Sequence, residues 1–280
     1  MKNDDLGNRM KSYEEISRNY LTRRVPVIIR LDGKAFHTFT RGMTKPFDSV
    51  LTRAMQGTMR AMCEGVQGCV LGYTQSDEIT LVLTDYATAT TDAWFEYNVQ
   101  KMVSVATSMA TLAFAKEFDI AHREWAEQAY EASADRADTL KHDSIYSAKR
   151  GKAMFDARAF TVPRHEVCNC LIWRQKDAER NSISAVGQAN FSHRELQGKT
   201  CNEIQEMLWS QKQINWNDLP VEVKRGSCCT KQLRTTQMPD PGCPDQEITV
   251  TRRKWVVDRE IPIFTKDRDY IETLIQVEVR

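Results

Sequence analysis

Four short apolar runs, and the order in which helical patterns interrupt them, constrain this chain more than any other feature. Val25–Leu31, Cys69–Tyr73, Ile79–Leu83 and Phe155–Val162 are strand-length segments bounded by Gly, Asp or Pro, and they read as strands. Between the first and second, Asp48 can cap a helix carrying Leu51, Met55, Met59 and Met62, ended by Gly65 and Gly68. The methionine stripe is core packing rather than a ligand feature. Between the third and fourth, a long helix starts at Thr91 or Asp92, with Phe95, Val99, Met102, Val103, Ala106, Met109, Ala110 and Ala113 at helical period. The order strand, helix, strand, strand, helix, strand is the split βαβ, or ferredoxin-like, arrangement: an α+β antiparallel sheet with two helices on one face. In it the first and third strands are neighbours. Asp32 ends the first strand and Asp77 stands just before the third, so the topology predicts a two-carboxylate site.

The remainder supports one domain in two stretches. Residues 1–165 hold the sheet and its helices, and 166–280 complete the same domain with helices and a β-hairpin. Ser12-Tyr-Glu-Glu15 matches a capping box and predicts a short helix ending near Leu21. The Ala-rich, charged segment 120–150, with Trp125 and Tyr130, reads as a helical insertion lying over the surface. Val167–Trp173 opens a helix that continues through RQKDAERNSISAVGQ, and Thr200-Cys-Asn-Glu203 is a second capping box. Ile248–Val257 reads as a strand paired near Cys228–Leu233, and Met238–Pro244 as a mobile loop.

Composition narrows the partners. At 280 residues, 41% hydrophobic, 28% charged and net charge +1, the chain is an ordinary globular protein without a global field for nucleic acid, so any such partner is held locally. Arg252-Arg253-Lys254 is one such local cluster, and a solvated strand face is its plain alternative. There is no apolar run of membrane length, and MKNDDLGNRMK is too polar for a signal peptide, so the expectation is a cytoplasmic protein with no membrane partner. Eight cysteines, at 63, 69, 168, 170, 201, 228, 229 and 243, lack a Cys-x-x-Cys pair. Reduced, buried thiols are favoured over a zinc site drawn from Cys168, Cys170, Cys228 and Cys229.

Two carboxylates with a backbone carbonyl form a hard-oxygen site, suited to Mg²⁺ with substrate phosphates and unsuited to Zn²⁺. Two ions bridged by Asp32 and Asp77 would give the clamp of phosphoryl and nucleotidyl transfer. The N–H groups of Lys34–His37 can cradle phosphates, with Arg30 and Lys45 as phosphate partners. The plain alternative for Ser76-Asp77-Glu78 is a polar hairpin turn.

RLDGKAFHTF at Arg30–Phe39, KPFD at Lys45–Asp48 and YTQSDEITLVL at Tyr73–Leu83 closely resemble the tRNA(His) guanylyltransferase family, and DLGNRMKSYE at Asp5–Glu14 resembles its bacterial-type, guanylyltransferase-like members. WFEYNVQKMVSVAT, FDARAFTVP, WRQKDAERNSI and INWNDLP with Lys224-Arg-Gly226 extend the resemblance over most of the chain. It implies a polymerase-type palm with an α-rich C-terminal half that adds nucleotides 3′→5′ to the 5′ end of tRNA. Asp32 and Asp77 would bind two Mg²⁺ ions, Gly33 would ligate through its carbonyl, and Glu78 would support the catalytic pair. Lys34, Ala35, Phe36, His37, Lys45 and Ser76 would join Asp32, Gly33 and Asp77 in holding the nucleoside triphosphate, with ATP and GTP as substrates. Lys101 would face the tRNA end, joined by Arg252 and Arg253 on the charge of their own basic cluster, and the assembly would be a homotetramer or dimer. Glu179–Ala185 departs from the His-Ile-Asn-Asn-Leu-Tyr-Asn motif of eukaryotic members. That favours template-dependent repair of 5′-truncated tRNA over strict addition of one G to tRNA(His). A non-catalytic RNA-binding module and a nucleotidyl cyclase of the same palm remain alternatives, although no RNP-type sequence is present.

Overall fold

The computed structural model describes residues 4–132, 136–240 and 243–276, with side chains among them except at 238–248. In chain order it forms α1 (Asp5–Glu15), β1 (Val27–Gly33), α2 (Phe36–Phe39), α3 (Ser49–Gly65), β2 (Cys69–Gln75), β3 (Glu78–Leu83), α4 (Val99–Ala132), α5 (Arg136–Ser147) and β4 (Phe155–Thr161). There follow α6 (Val167–Asn190), α7 (His193–Leu196), α8 (Cys201–Lys212), α9 (Val221–Arg225), β5 (Ser227–Asp240), β6 (Cys243–Asp258) and α10 (Asp269–Glu272).

The six strands pair antiparallel in the order β4-β1-β3-β2-β5-β6, whose first four positions are the ferredoxin-like order. Alternation along β1 decides the layers. Val27, Ile29 and Leu31 face α3 and α4, packing with Met55, Met59, Met62, Phe114 and Phe118. Ile28 faces the opposite way, where Val82, Leu71 and Tyr73 meet Val167, Cys168 and Leu171 of α6 together with Phe264 and Ile271. The two palm helices thus share one face, and the C-terminal half covers part of the other. Cys228 and Cys229 fall into these opposite clusters. That divergence overturns the alternative zinc site, because neighbouring strand residues point apart.

Several boundaries differ from expectation for physical reasons. The first helix ends where the Ser12 box would start it. Asp4 caps it earlier, accepting from Gly7 N at 2.9 Å, and the Ser12 hydroxyl donates back to the Arg9 carbonyl at 2.8 Å. The long helix starts at Val99 rather than Thr91. Phe95, Glu96 and Tyr97 hold positive φ, and the Asn98 side chain accepts from Lys101 N at 3.0 Å. Once begun, α4 meets no breaker and runs 34 residues, absorbing the first part of segment 120–150. The described part of that segment is two helical pieces, the end of α4 and α5, mostly exposed but anchored along an inner side. His122 and Tyr146 are buried, His122 Nε2 lies 2.7 Å from Asp143 Oδ1, and the Tyr146 hydroxyl donates to Asp48 Oδ2 at 2.7 Å. Asp48 also accepts from Leu51 N at 3.0 Å, so α5 is fastened to the cap of α3. Of the loop expected at Met238–Pro244, 238–240 and 243–244 belong to β5 and β6, and residues 241 and 242 lie outside the described residues.

Candidate active site

The site forms at the end of β1, where register places three acids in a row. Asp32 pairs with Glu78 of β3 on one side and with Asp156 of β4 on the other. Directly opposed residues of antiparallel strands share a face, so Asp156, Asp32 and Glu78 all project to the α6 side. Asp77 sits one residue before Glu78 in the β2–β3 turn. Its carbonyl accepts from Gly33 N at 3.0 Å, which fixes the turn against the end of β1. Sequence order thus brings Asp32 and Asp77 together. Burial pushes the Asp77 carboxyl above the usual carboxylate range, and the charge of Asp32 adds to this, while the Ser76 hydroxyl, 3.0 Å from Asp77 Oδ1, pulls the other way.

Glu78 is not a free ligand. Arg174 Nε donates to its Oε1 at 2.7 Å, Arg30 Nε stands 3.9 Å from Oε2, and Arg174 also reaches Asp177 at 2.7 Å. Burial raises the Glu78 carboxyl, and Arg174 opposes the rise. Its place is to anchor two guanidiniums beside Asp32. Nothing in the sequence foretold this pairing, because Arg174 comes from a helix far along the chain. Asp156 was equally hidden inside FDARAF, although it stands at a strand position whose partner the fold class specifies.

The loop after Asp32 is a partial cradle. Lys34 N donates to the Met154 carbonyl at 2.8 Å, so that N–H is spent inside the protein, contrary to expectation. Ala35 adopts φ 54°, ψ 37°, and α2 starts immediately, so among the described residues the N–H groups of Ala35, Phe36 and His37 remain for a ligand. The Phe36 ring belongs to the core, 5.6 Å from Phe114 and 5.4 Å from Phe155, so only its backbone can serve. A Cβ on Gly33 would stand 2.3 Å from that ring, which is why glycine follows Asp32. Lys34, His37, Lys45 and Ser76 are exposed at the rim.

A cavity of about 160 Å³ opens beside Ser76, lined among others by Asp48, Thr74, Asn181, Ser182 and Ala185. Part of segment Glu179–Ala185 therefore lines the cavity next to Ser76, with neither Asp32 nor Asp77 in its wall. The remaining expected positions lie apart. Lys101 is at the start of α4, about 20 Å along the helix from Phe114, which packs on Phe36. Arg252 pairs with Arg234, and β5 leaves β2 at Thr230, so Arg252 and Arg253 lie on a two-stranded arm. From Ser227, level with Thr74, to Arg234 is roughly 23 Å along the strand.

Among the described residues no three His, Cys, Asp or Glu side chains converge as a metal cluster. A carboxylate at the end of β1 and a second on the pinned turn beside it, the latter held above its ordinary range, nevertheless fit a hard divalent cation that completes its shell with water and phosphate. Such an ion would relieve the Asp32–Asp77 repulsion. No helix among the described residues is long and apolar enough to cross a membrane.

Residues 7–163 match the sequence model of a family described as tRNAHis guanylyltransferase (Thg1). A solved bacterial tRNA(His) guanylyltransferase-like protein in complex with ATP is 40% identical, with TM-score 0.78, over 97% of this chain and 99% of that one. A bacterial Thg1-like protein in complex with GTP is 38% identical, with TM-score 0.73, over 98% and 100%. The tRNA(His) guanylyltransferase of Schizosaccharomyces pombe is 26% identical over 95% of this chain and 97% of its own.

Proposed function

We propose that this chain, which belongs to the tRNAHis guanylyltransferase family of nucleotidyltransferases, adds nucleotides in the 3′→5′ direction to the 5′ end of tRNA and repairs 5′-truncated tRNA against a template. The observation that carries the reading is the Asp32–Asp77 pair beside a loop with free N–H groups. Mg²⁺, held by Asp32, Asp77 and the Gly33 carbonyl, would supply charge stabilisation for the triphosphate and activation of the attacking hydroxyl. The chain's own part is positioning. The turn at Ser76–Asp77 and the loop at Ala35–His37 seat the triphosphate, with Lys34 and Lys45 as point charges at the rim. ATP and GTP, bound in the two similar structures, are the nucleotides expected here. An RNA 5′-monophosphate would attack the α-phosphorus of ATP, releasing pyrophosphate and leaving AMP on the RNA end; the 3′-hydroxyl of the seated nucleotide would then attack the RNA 5′-phosphorus, losing its proton as AMP leaves.

Template-dependent repair is favoured over strict G addition by the cavity beside Ser76. Its wall includes Asn181, Ser182 and Ala185, within the segment where the eukaryotic motif is replaced. The assembly is proposed to be a homo-oligomer acting in the cytoplasm. The test is extension, with Mg²⁺ and four triphosphates, of several 3′-labelled, 5′-truncated tRNAs and of a tRNA(His) lacking only its extra G. Templated filling of the truncated tRNAs is expected. A single G added to tRNA(His) alone would replace this reading with the strict enzyme, and tRNA binding without addition would replace it with a binding module.

A further inference from the structure

Trp173 is half exposed, at 50%, although it borders the carboxylate row. The Arg174 guanidinium lies 4.5 Å from its ring centroid and that of Arg30 lies 5.5 Å away. Arg174 is itself buried and gripped by Glu78 and Asp177, each at 2.7 Å. The indole is thus steadied by a guanidinium with no freedom of its own, while half its surface stays open to water. An apolar surface held rigid and wet beside cations fits the face of a nucleobase, which stacks on aromatic rings and on guanidinium planes.

Strand alternation gives its position relative to the reacting groups. Arg30 and Asp32 share the α6 face, about 7 Å apart along β1. Directly opposite Arg30 on β4 is Arg158, exposed and, among the described residues, without an ion pair. The acidic row of Asp156, Asp32 and Glu78 therefore has the phosphate cradle beyond it, at Ala35–His37, and a row of Arg158 and Arg30 under Trp173 before it. A transfer between two phosphorylated reactants needs a seat on each side of the carboxylates. The cradle suits a triphosphate, and the other seat pairs two arginines with an open indole.

We infer that Trp173 is the stacking platform for the 5′-terminal base of the RNA strand being extended, with Arg30 and Arg158 facing its 5′-phosphate. The inference rests on the nucleotidyltransferase reading above and adds to it the seat of the second substrate. Trp173 touches the substrate base and positions its phosphate over Asp32.

The test combines protein and RNA changes. Wild type, Trp173→Ala and Trp173→Phe are compared on a truncated tRNA with a normal 5′-terminal nucleotide and on one whose 5′-terminal nucleotide is abasic but still phosphorylated. Thermal unfolding of each variant serves as the folding control. On normal RNA, Trp173→Ala is expected to raise the KM for RNA roughly tenfold or more, as loss of one stacked base does, with the KM for triphosphate unchanged and Trp173→Phe largely restoring binding. On abasic RNA the three proteins should bind and react alike. An equal defect of Trp173→Ala on both RNAs would mean that the ring only holds Arg174 in place, and would overturn the inference, as would no defect on either. Failure of wild type to extend the normal RNA would instead sink the nucleotidyltransferase reading, and the platform with it.

Discussion

Asp77 carries a conflict between stability and use. Burial and the neighbouring Asp32 hold its carboxyl above the usual range, so folding favours protonation more than the unfolded chain does. The sign follows from linkage: its contribution is most favourable below the ordinary carboxylate pKa and declines as pH rises through the raised value. At neutral pH the ionised group therefore costs stability. Asp77→Asn is expected to raise the melting temperature at pH 7, with the gain shrinking toward acid pH, as thermal unfolding across a pH series would register. An unchanged or lower melting temperature at pH 7 would contradict the burial argument. In wild type, nucleotide addition should fall at acid pH as Asp77 protonates. The Asp32–Asp77 convergence was legible because strand order alone makes β1 and β3 neighbours. The grip of Arg174 on Glu78 was not, because a contact between a strand and a helix distant in sequence leaves no periodic trace. Phe36 shows the same limit: its place in the motif suggested a ligand contact, and its ring turned out to be core.

Among the elements, β1 to β4 were read to within two residues because apolar runs bounded by Gly, Asp and Pro admit little else, whereas β5 and β6 run beyond the expected 228–233 and 248–257, to Asp240 and from Cys243. Helix starts were less legible where caps competed. Asp4 and Ser12 are both good caps, and the earlier one prevailed. The stretch from Phe95 to Tyr97 looked helical by hydrophobic spacing, yet three consecutive positive φ values delay α4 to Val99. Segment 120–150 is mostly exposed, as its charge suggested, but its charge hid the inner contact by which Tyr146 is tied to Asp48. The arm formed by β5 and β6 shows what register adds. Arg252 lies directly opposite Arg234, a like-charge pair that destabilises a bare hairpin, and residues 249–257 contain no acid. Arg253 projects to the other face, opposite Leu233. A polyanion on the first face would offset that repulsion. Arg252→Ala is expected to weaken tRNA binding and to reduce the slope of log affinity against log salt by about one, measured by filter binding over a salt series. An unchanged slope would remove Arg252 from the tRNA-facing residues.

At the scale of the whole molecule, the layering explains why the acidic row stands where it does. α3 and α4 cover one face of the sheet's first four strands, and α6 crosses the other without sealing the end of β1. The acids are therefore rooted in rigid strands yet open to a ligand, and the cradle, the cavity beside Ser76 and Trp173 surround the same strand end. The central claim is that Asp32 and Asp77 act as a pair that holds the cation and triphosphate. The most direct measurement is single-turnover addition to one 5′-truncated tRNA by wild type, Asp32→Ala and Asp77→Asn, alongside each protein's thermal shift with Mg²⁺ and its tRNA affinity. Both variants are expected to lose addition and the Mg²⁺-dependent shift, with folding and tRNA binding retained. Addition at near wild-type rate by either variant would contradict the central claim.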